Sequence, residues 1–564
     1  MENNPGYWKD LYFKVYSENR QLRIELETLQ KAYTELKVKY KATRTPKINI
    51  TSSSTKDAAK AMKIAHSVDL QHIQTMTKTI IAPGYEINKK PELDLKNSFR
   101  LISQESLKKT QAEIEEKVVP CIEEDLNPDL SLFEEVFILS VSSNFKSASV
   151  IGRYPNSIDI PAYSVLHDFC FPAGIHVRQL IMTDSGSELN RLLYGQNITL
   201  RNENMFVFTL KPQDIHMSMH YGILDVLYCC CIVLEDIETY EGQDWIVPKC
   251  FCLVSYFPIF DLHFQLLSKL LMMIRIRRME ELGGLTASVG SLRSPDLTAN
   301  EHQVLAEYRQ KSEPMPNSRL EIEVPLQDPI VYKFYSDFHV TECTWLCAPM
   351  FSLLRFEDFF WLWVAMLLEK SIVVVSCNLA LITSVVLSLR SLIKPLIWPH
   401  VVLPIVPDSL RELLEAPVPL LIGMPAPAPA LRKSFKNIVW VMLDEPSPKR
   451  RLQPSDQILL EVKEMYGDGL KQKIMYQYND FGQSGIVYQP SERQIASIRG
   501  VTKLIKDYLT SVLKSLPKYS GSGIIDSQKL VQNVAPKFNT ADHLFLRCFL
   551  STQLVITHIE STGN

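Results

Sequence analysis

The sequence lacks any large excess of charge of one sign. Its 564 residues include 60 basic and 63 acidic side chains, which gives a net charge of −3. Because proteins that bind nucleic acid through their overall charge carry a clear basic excess, no nucleic-acid partner is expected. Glycine and proline, at 20 and 33 residues, are too few for a collagenous or wholly disordered chain. The length and the 46% apolar content predict a soluble globular protein of several domains.

No membrane span, secretion signal or disulfide framework is expected from the sequence. Residues 371–389 carry no charge, and this length approaches the roughly 20 residues that a span needs. A β-branched start, a polar middle and a leucine-spaced end instead predict a buried strand and a helix. The eleven cysteines are irregularly spaced, and the three at 229–231 lie in an apolar run. They are expected to be small core residues in a reducing, cytoplasmic compartment.

Motifs for covalent catalysis are absent from the sequence. It contains no GxxxxGK[ST] loop, no GxGxxG after a strand and no GxSxG turn. His216 and His220 have the spacing of a metalloprotease helix but lack its glutamate. His339, Cys343 and Cys347 could share one helical face, but no fourth ligand follows nearby. We therefore predict no catalytic residue, no cofactor and no metal ion, and expect a protein that acts by binding.

The N-terminal segment has the most regular apolar spacing in the chain. Apolar residues from 8 to 40 follow an unbroken 4-3 pattern, in which Asn19 is the one strongly polar member at an a position. Glu18 and Arg23 occupy the g and following e positions that meet across a parallel dimer. This pattern predicts a coiled coil over residues 7–42 and a homodimer. The alternative is a single helix that packs on its own domain.

Downstream, strand-like runs alternate with helical patterns, and the strands after residue 370 are almost continuously apolar. This arrangement is typical of an α/β fold with a mainly parallel sheet. Residues 43–130, with weak helices, and residues 283–317 have the composition of linkers. Predicted strands lie at 135–141, 206–210, 223–234, 249–255, 372–376, 398–405, 420–423 and 437–443, and predicted helices at 262–279, 356–369, 379–392, 410–414, 492–513 and 541–559.

Three groups of motifs follow one another in a specific order. The first comprises Tyr154-Pro155, DFCFPAG at 168–174, FVFTL at 206–210 and CLVSYFPIF at 252–260. The second comprises LLEK at 367–370, the spacing of Pro395, Trp398, His400, Pro404 and Pro407, EAPVPLLIG at 415–423 and VWVMLD at 439–444. The third is FLRCFLSTQ at 545–553. Together they resemble the DENN domain family over residues 132–564, with departures at Leu443 and Val555.

The resemblance implies a fold of two parts, a longin-like α/β module and an α/β DENN module, preceded by the coiled-coil helix. The expected boundaries are 131–280 for the upstream, longin-like DENN module, 281–329 for a linker, 330–470 for the central DENN part and 471–564 for the downstream DENN part.

The resemblance also implies a guanine-nucleotide exchange factor for a Rab-type small GTPase in vesicle or endosomal traffic. Such a protein would reach membranes peripherally, through its GTPase, and would need no cofactor. The candidate GTPase-binding residues are Trp398, His400, Glu415 and Pro417.

Two other functions stay open at the level of sequence. One is a scaffold or GTPase-activating subunit without exchange activity. An activating subunit needs an exposed arginine beside the γ-phosphate, and Arg153 and Arg201 are the candidates. The other is a protein whose coiled coil is the functional part, with the globular body as a tether.

Overall fold

The computed structural model separates the chain into two units, Met1–Leu126 and Asn127–Asn564. The residues that the structure describes all lie in the second unit. They are 131–155, 166–180, 191–192, 196, 198, 200–210, 226–283, 297–311, 318–334, 337–425, 435, 437–482, 485–517 and 527–562. The predicted coiled coil at 7–42, the whole of the predicted linker at 43–130, and both His216 and His220 lie outside these residues.

The first sheet is antiparallel and is built from six strands. Its order is β2-β1-β6-β5-β4, and β3 also pairs with β6. The strands are β1 (Glu135–Val141), β2 (Ala148–Tyr154), β3 (Arg178–Gln179), β4 (Met205–Leu210), β5 (Leu227–Tyr240) and β6 (Gln243–Ser255). The strand predicted at 223–234 begins later and continues to Tyr240, because the polar second half of β5 pairs with β6 along a long hairpin.

Helices cover one face of this sheet, and one of them lies within residues 281–329, which the sequence predicted to be a linker. A short helix α1 (Leu166–Cys170) lies on the other face, whereas α2 (Phe260–Gly283) and α3 (Ala299–Gln310) precede a hairpin of β7 (Arg319–Ile322) and β8 (Ile330–Lys333). Residues 281–329 therefore contain regular structure. Thr298 and Glu301 form a capping box at the start of α3, and Val304, Leu305 and Tyr308 are buried in the core. The sequence did not predict α3, because polar residues surround these three apolar positions and the apolar face is short.

The second sheet confirms the predicted α/β architecture. Its order is β10-β11-β9-β12-β13, and the first four strands are parallel. The strands are β9 (Ser371–Ser376), β10 (Val401–Leu403), β11 (Leu420–Pro425), β12 (Ile438–Met442) and β13 (Leu452–Gln453). The strand predicted at 398–405 is only three residues long, because Pro399 and Pro404 flank it and proline cannot donate a backbone hydrogen bond.

Helices from the central and C-terminal parts share one hydrophobic core beside the second sheet. The helices are α4 (Phe338–Leu353), α5 (Phe356–Leu367), α6 (Leu379–Ser391), α7 (Asp456–Glu461), α8 (Leu470–Phe481), α9 (Glu492–Lys514), α10 (Ser527–Val534), α11 (His543–Phe549) and α12 (Gln553–Thr562). Short 3-10 helices lie at Asp408–Glu415, Pro448–Arg450, Gly467–Gly469, Ala535–Lys537 and Thr540–Asp542. The single helix predicted at 541–559 is thus two helices with a turn between them.

The two sheets are joined by packing on both faces of the first one. Trp345 of α4 and Leu387 of α6 belong to the core under α2 and α3. On the opposite face, Ile405 is part of the core, and Leu379 and Leu403 pack against it. The carboxyl ends of β9 and β10 therefore lead directly into the contact with the first sheet.

The uncharged segment at 371–389 forms β9 and most of α6, as the sequence predicts. Among the residues that the structure describes, no helix combines the length and the apolar character needed to cross a membrane.

Candidate functional site

The four predicted GTPase-binding residues lie at one edge of the second sheet. Trp398 and His400 lead into β10, whereas Glu415 and Pro417 lead into β11. Val401 and Leu420 are register partners in this parallel pair, so both leads reach the sheet at its amino edge. The structure therefore places near one another residues that are separated by up to 19 positions in the sequence.

Two of the four side chains are turned to the interior. Trp398 is only 7% exposed and belongs to the main core, and its ring lies 5.4 Å from that of His400. His400 Nε2 lies 3.0 Å from Glu369 Oε1. The same carboxylate accepts hydrogen bonds from the backbone N–H groups of Gln553 and Leu554, at 3.1 and 2.7 Å. Trp398 and His400 thus help to hold the sheet edge against the start of α12.

The other two side chains are exposed. Glu415 ends the 3-10 helix Asp408–Glu415, and Pro417 follows it on the surface. We call the exposed part of this region the 3-10 surface, which comprises Leu410, Glu412, Glu415, Pro417 and Val418. Leu410 and Val418 expose 38% and 42% of their area, so the acidic residues lie between two apolar ones along the chain.

The start of this 3-10 helix contacts α1, the short helix that packs on the first sheet. Ser409 Oγ donates a hydrogen bond to Asp168 Oδ2 of α1 at 3.2 Å. A partner that covers the 3-10 surface can therefore reach residues on either side of the junction between the two sheets.

The carboxyl edge of the second sheet carries polar residues that the sequence analysis did not select. Ser376 Oγ and the backbone N–H of Cys377 donate to the two oxygens of Asp444 at 2.6 and 2.7 Å. Burial raises the pKa of the Asp444 carboxyl to about 6, although the hydrogen bond from Ser376 and the charge of Arg451 act in the opposite direction. Ligands of open parallel sheets bind at this edge. Asp444 directly follows the strand predicted at 437–443, and this position at a strand end could have identified it from the sequence.

A buried arginine ties the two sheets together. Arg201, just before β4, donates to the backbone carbonyl of Trp345 at 2.7 Å and to Ser384 Oγ at 2.5 Å. Its guanidinium carbon lies 3.2 Å from the centre of the Trp345 ring. Burial lowers the pKa of this guanidinium to about 9, so the side chain is still charged at neutral pH.

Neither arginine proposed for a GTPase-activating role is available as an exposed group. Arg201 is 9% exposed. Arg153 makes a charged pair with Glu135 at 2.8 Å, and its side chain is 14% exposed. Both side chains make internal contacts in this structure, which corrects the expectation that one of them is the exposed arginine of a GTPase-activating subunit.

The His339, Cys343 and Cys347 group is engaged in local packing. His339 Nε2 lies 3.0 Å from the backbone oxygen of Ser391 and 3.5 Å from Cys343 Sγ. Cys343 Sγ also lies 3.2 Å from Ser391 Oγ. These contacts join α4 to the end of α6.

The region around this site matches a known protein domain. Residues 246–446, from β6 to just beyond β12, match the model of the DENN (AEX-3) domain. The chain therefore contains a DENN domain over this region. The matched region includes the junction helices α2 and α4, the whole parallel part of the second sheet and the 3-10 surface.

Curated relatives carry the same domain at low identity. The chain is 25% identical over 301 residues to DENN domain-containing protein 1A of Mus musculus and of Homo sapiens, and the alignment covers 53% of this chain and 24% of each relative. It is 23% identical over 264 residues to DENN domain-containing protein 2A of Mus musculus, with 43% and 26% covered. The alignments thus span about a quarter of the length of these relatives.

Proposed function

We propose that this DENN protein is a guanine-nucleotide exchange factor for a Rab-type small GTPase that acts in vesicle or endosomal traffic. The observation that carries the proposal is the DENN match at 246–446, which agrees with the ordered motifs read from the sequence. Exchange requires no covalent step. A factor that binds the nucleotide-free GTPase more tightly weakens nucleotide binding by the same free energy, because the coupling is reciprocal.

We further propose that the first sheet and its helices form the longin-like module and that the GTPase docks across both modules. The 3-10 surface supports this arrangement, since it is exposed at Glu415 and Pro417 and begins at the Ser409–Asp168 contact. In this proposal Glu415 and Pro417 contact the GTPase. Trp398 and His400 act indirectly, by holding the edge on which these residues lie.

The first experiment measures nucleotide release on a panel of Rab-type GTPases. The full chain should accelerate loss of fluorescent GDP from at least one of them by about tenfold or more, within the usual range of coupling between two sites. GTP hydrolysis is followed on the same panel. Folded protein that changes neither rate would support a scaffold, and faster hydrolysis without release would support an activating subunit.

Charge reversal tests the docking surface. Glu415→Lys should lower the exchange rate by about tenfold, as loss of one well-placed interface contact does, and should leave the unfolding free energy nearly unchanged. Glu323→Lys is the matched control, because Glu323 is also exposed but follows β7, outside the 3-10 surface. Equal exchange rates for Glu415→Lys, Glu323→Lys and the unaltered chain would show that the GTPase docks elsewhere.

We also propose that residues 7–42 pair two copies of the chain, so that two bodies can engage GTPases on one membrane. Pairing raises the effective concentration of the second contact. Light scattering of the full chain should give a dimer, and Leu22→Glu with Leu29→Glu should give a monomer that loses affinity for vesicle-bound but not for free GTPase. A monomeric unaltered chain at micromolar concentration would contradict the proposal.

A further inference from the structure

Four cysteine side chains converge in the core between the first sheet and α1. Cys170 ends α1, Cys231 lies in β5, and Cys250 and Cys252 lie in β6. We call these four residues the thiol cluster. All of them are 0% exposed. The sulfur atoms of Cys170, Cys231 and Cys250 all lie within 4.8 Å of one another, and the Cys252 thiol makes hydrogen bonds with those of Cys170, Cys231 and the neighbouring Cys229.

Strand register explains how the cluster is assembled. Cys231 is the direct partner of Cys252, and Cys250 is the partner of Val233. Since successive side chains of a strand alternate between faces, Cys231, Cys250 and Cys252 share one face of the hairpin, and Cys229 lies beside them on the same face. Cys230 points to the other face and belongs to a different core cluster. The three consecutive cysteines of the sequence are therefore not equivalent.

The surroundings of the thiol cluster are apolar. Its core also contains Phe169 and Phe208, whose rings stack at 5.3 Å. Burial raises the pKa of the Cys170 and Cys231 thiols.

We propose that the thiol cluster binds one zinc ion through the sulfur atoms of Cys170, Cys231, Cys250 and Cys252. Thiolate ligands favour zinc among the available divalent ions, and four cysteines form a closed, structural zinc site. A tetrahedral site with zinc–sulfur bonds of about 2.3 Å places the sulfurs about 3.8 Å apart. The observed limit of 4.8 Å for three of them needs only a small contraction, and sulfurs this close leave no room for an iron–sulfur cluster.

The ion would link α1 to the central hairpin. Each coordinated thiol gives up its proton to water as the metal enters, so binding takes place before or during closure of the core. Because α1 also carries Asp168, which contacts Ser409 at the start of the 3-10 helix, zinc would fix one side of the junction between the two sheets. This site is separate from the amino edge of the second sheet, and it does not depend on the proposed exchange activity.

Elemental analysis of the full chain tests the proposal. Protein purified without chelators should contain about one zinc ion per chain, retained during dialysis and released on unfolding. Cys250→Val should abolish this zinc. Cys230→Val is the matched control, because Cys230 is equally buried in the neighbouring β5 but faces away from the cluster, and it should keep the metal.

Two measurements on the unaltered chain keep the test decisive if Cys250→Val does not fold. Refolding in Co²⁺ should produce the strong absorption of cobalt–thiolate bonds. The zinc content of the unaltered chain is the other measurement. Absence of both metal and cobalt absorption, recovery of disulfides between these cysteines, or full zinc content in folded Cys250→Val would overturn the proposal.

Discussion

Replacing His263 with glutamine is expected to make the folded protein less sensitive to acid. His263 of α2 is fully buried, and its Nε2 lies 3.0 Å from the backbone oxygen of Phe257. Its Nδ1 lies 2.7 Å from the hydroxyl of Tyr308 in α3. A carbonyl can only accept, so Nε2 carries the proton and Nδ1 accepts from Tyr308. The neutral imidazole satisfies both partners, and protonation would force Nδ1 to become a donor.

The size of the effect follows from the pKa of this group. Burial lowers the pKa of His263 from 6.5 to about 4, although the hydrogen bond to Phe257 acts in the opposite direction. Between these two pH values the unfolded chain binds more protons than the folded one, so stability falls as the pH falls. A shift of this size removes about 2 kcal/mol of unfolding free energy between pH 7 and pH 5.

Urea denaturation followed by tryptophan fluorescence measures this effect. The glutamine side chain can donate to Phe257 and accept from Tyr308, so His263→Gln should fold at pH 7. Subtracting its loss of stability between pH 7 and pH 5 from the loss in the unaltered chain should leave about 2 kcal/mol. The subtraction also cancels the other acid-sensitive groups. Equal losses in both proteins would refute the assignment of a neutral, buried histidine.

Three further substitutions test other parts of the fold. The pKa of Asp444 is raised from 3.8 to about 6, so between these pH values the folded chain binds more protons than the unfolded chain and this group stabilises the fold as the pH falls. Asp444→Asn should therefore remove about 1 kcal/mol of the unfolding free energy that is gained between pH 7 and pH 5, as measured by urea titration. Trp398→Ala should lower the unfolding free energy by about 3–5 kcal/mol, whereas a stable variant that loses only exchange activity would mark Trp398 as a contact residue. A Cβ on Gly423 would lie 2.1 Å from both Ile382 Cγ2 and the backbone oxygen of Pro404, so Gly423→Ala should cost about 3 kcal/mol or more, seen as a lower thermal midpoint.

The sequence predicted which residues lie together at the candidate site, but not which of their side chains are exposed. The motif residues Trp398, His400, Glu415 and Pro417 do lie at one sheet edge, because two parallel strands begin there. The sequence alone could not show that Trp398 and His400 turn to the interior whereas Glu415 and Pro417 are exposed. That distinction depends on Glu369, which lies far from Gln553 in the chain but binds the start of α12 through its carboxylate.

Apolar periodicity in the sequence determined the central architecture. Strands such as β1 and β9 are buried on both faces, so their continuous apolar runs were visible without the fold. The helix α3 was missed because three buried residues within a polar segment give a weak signal. The polar half of β5 was missed because it is held by pairing with β6 rather than by its own composition.

The sequence by itself determined the resemblance to the DENN domain, the α/β class and the absence of a catalytic motif. Only the tertiary structure decided that Arg201 is an internal link, that the middle cysteine of the 229–231 run faces away from its neighbours, and that Asp444 is partly buried. The physical reason is that burial and charge pairing depend on contacts between residues distant in sequence. Arg201 meets Ser384 across 183 positions, and the apolar pattern on either side of Arg201 contains no information about that contact.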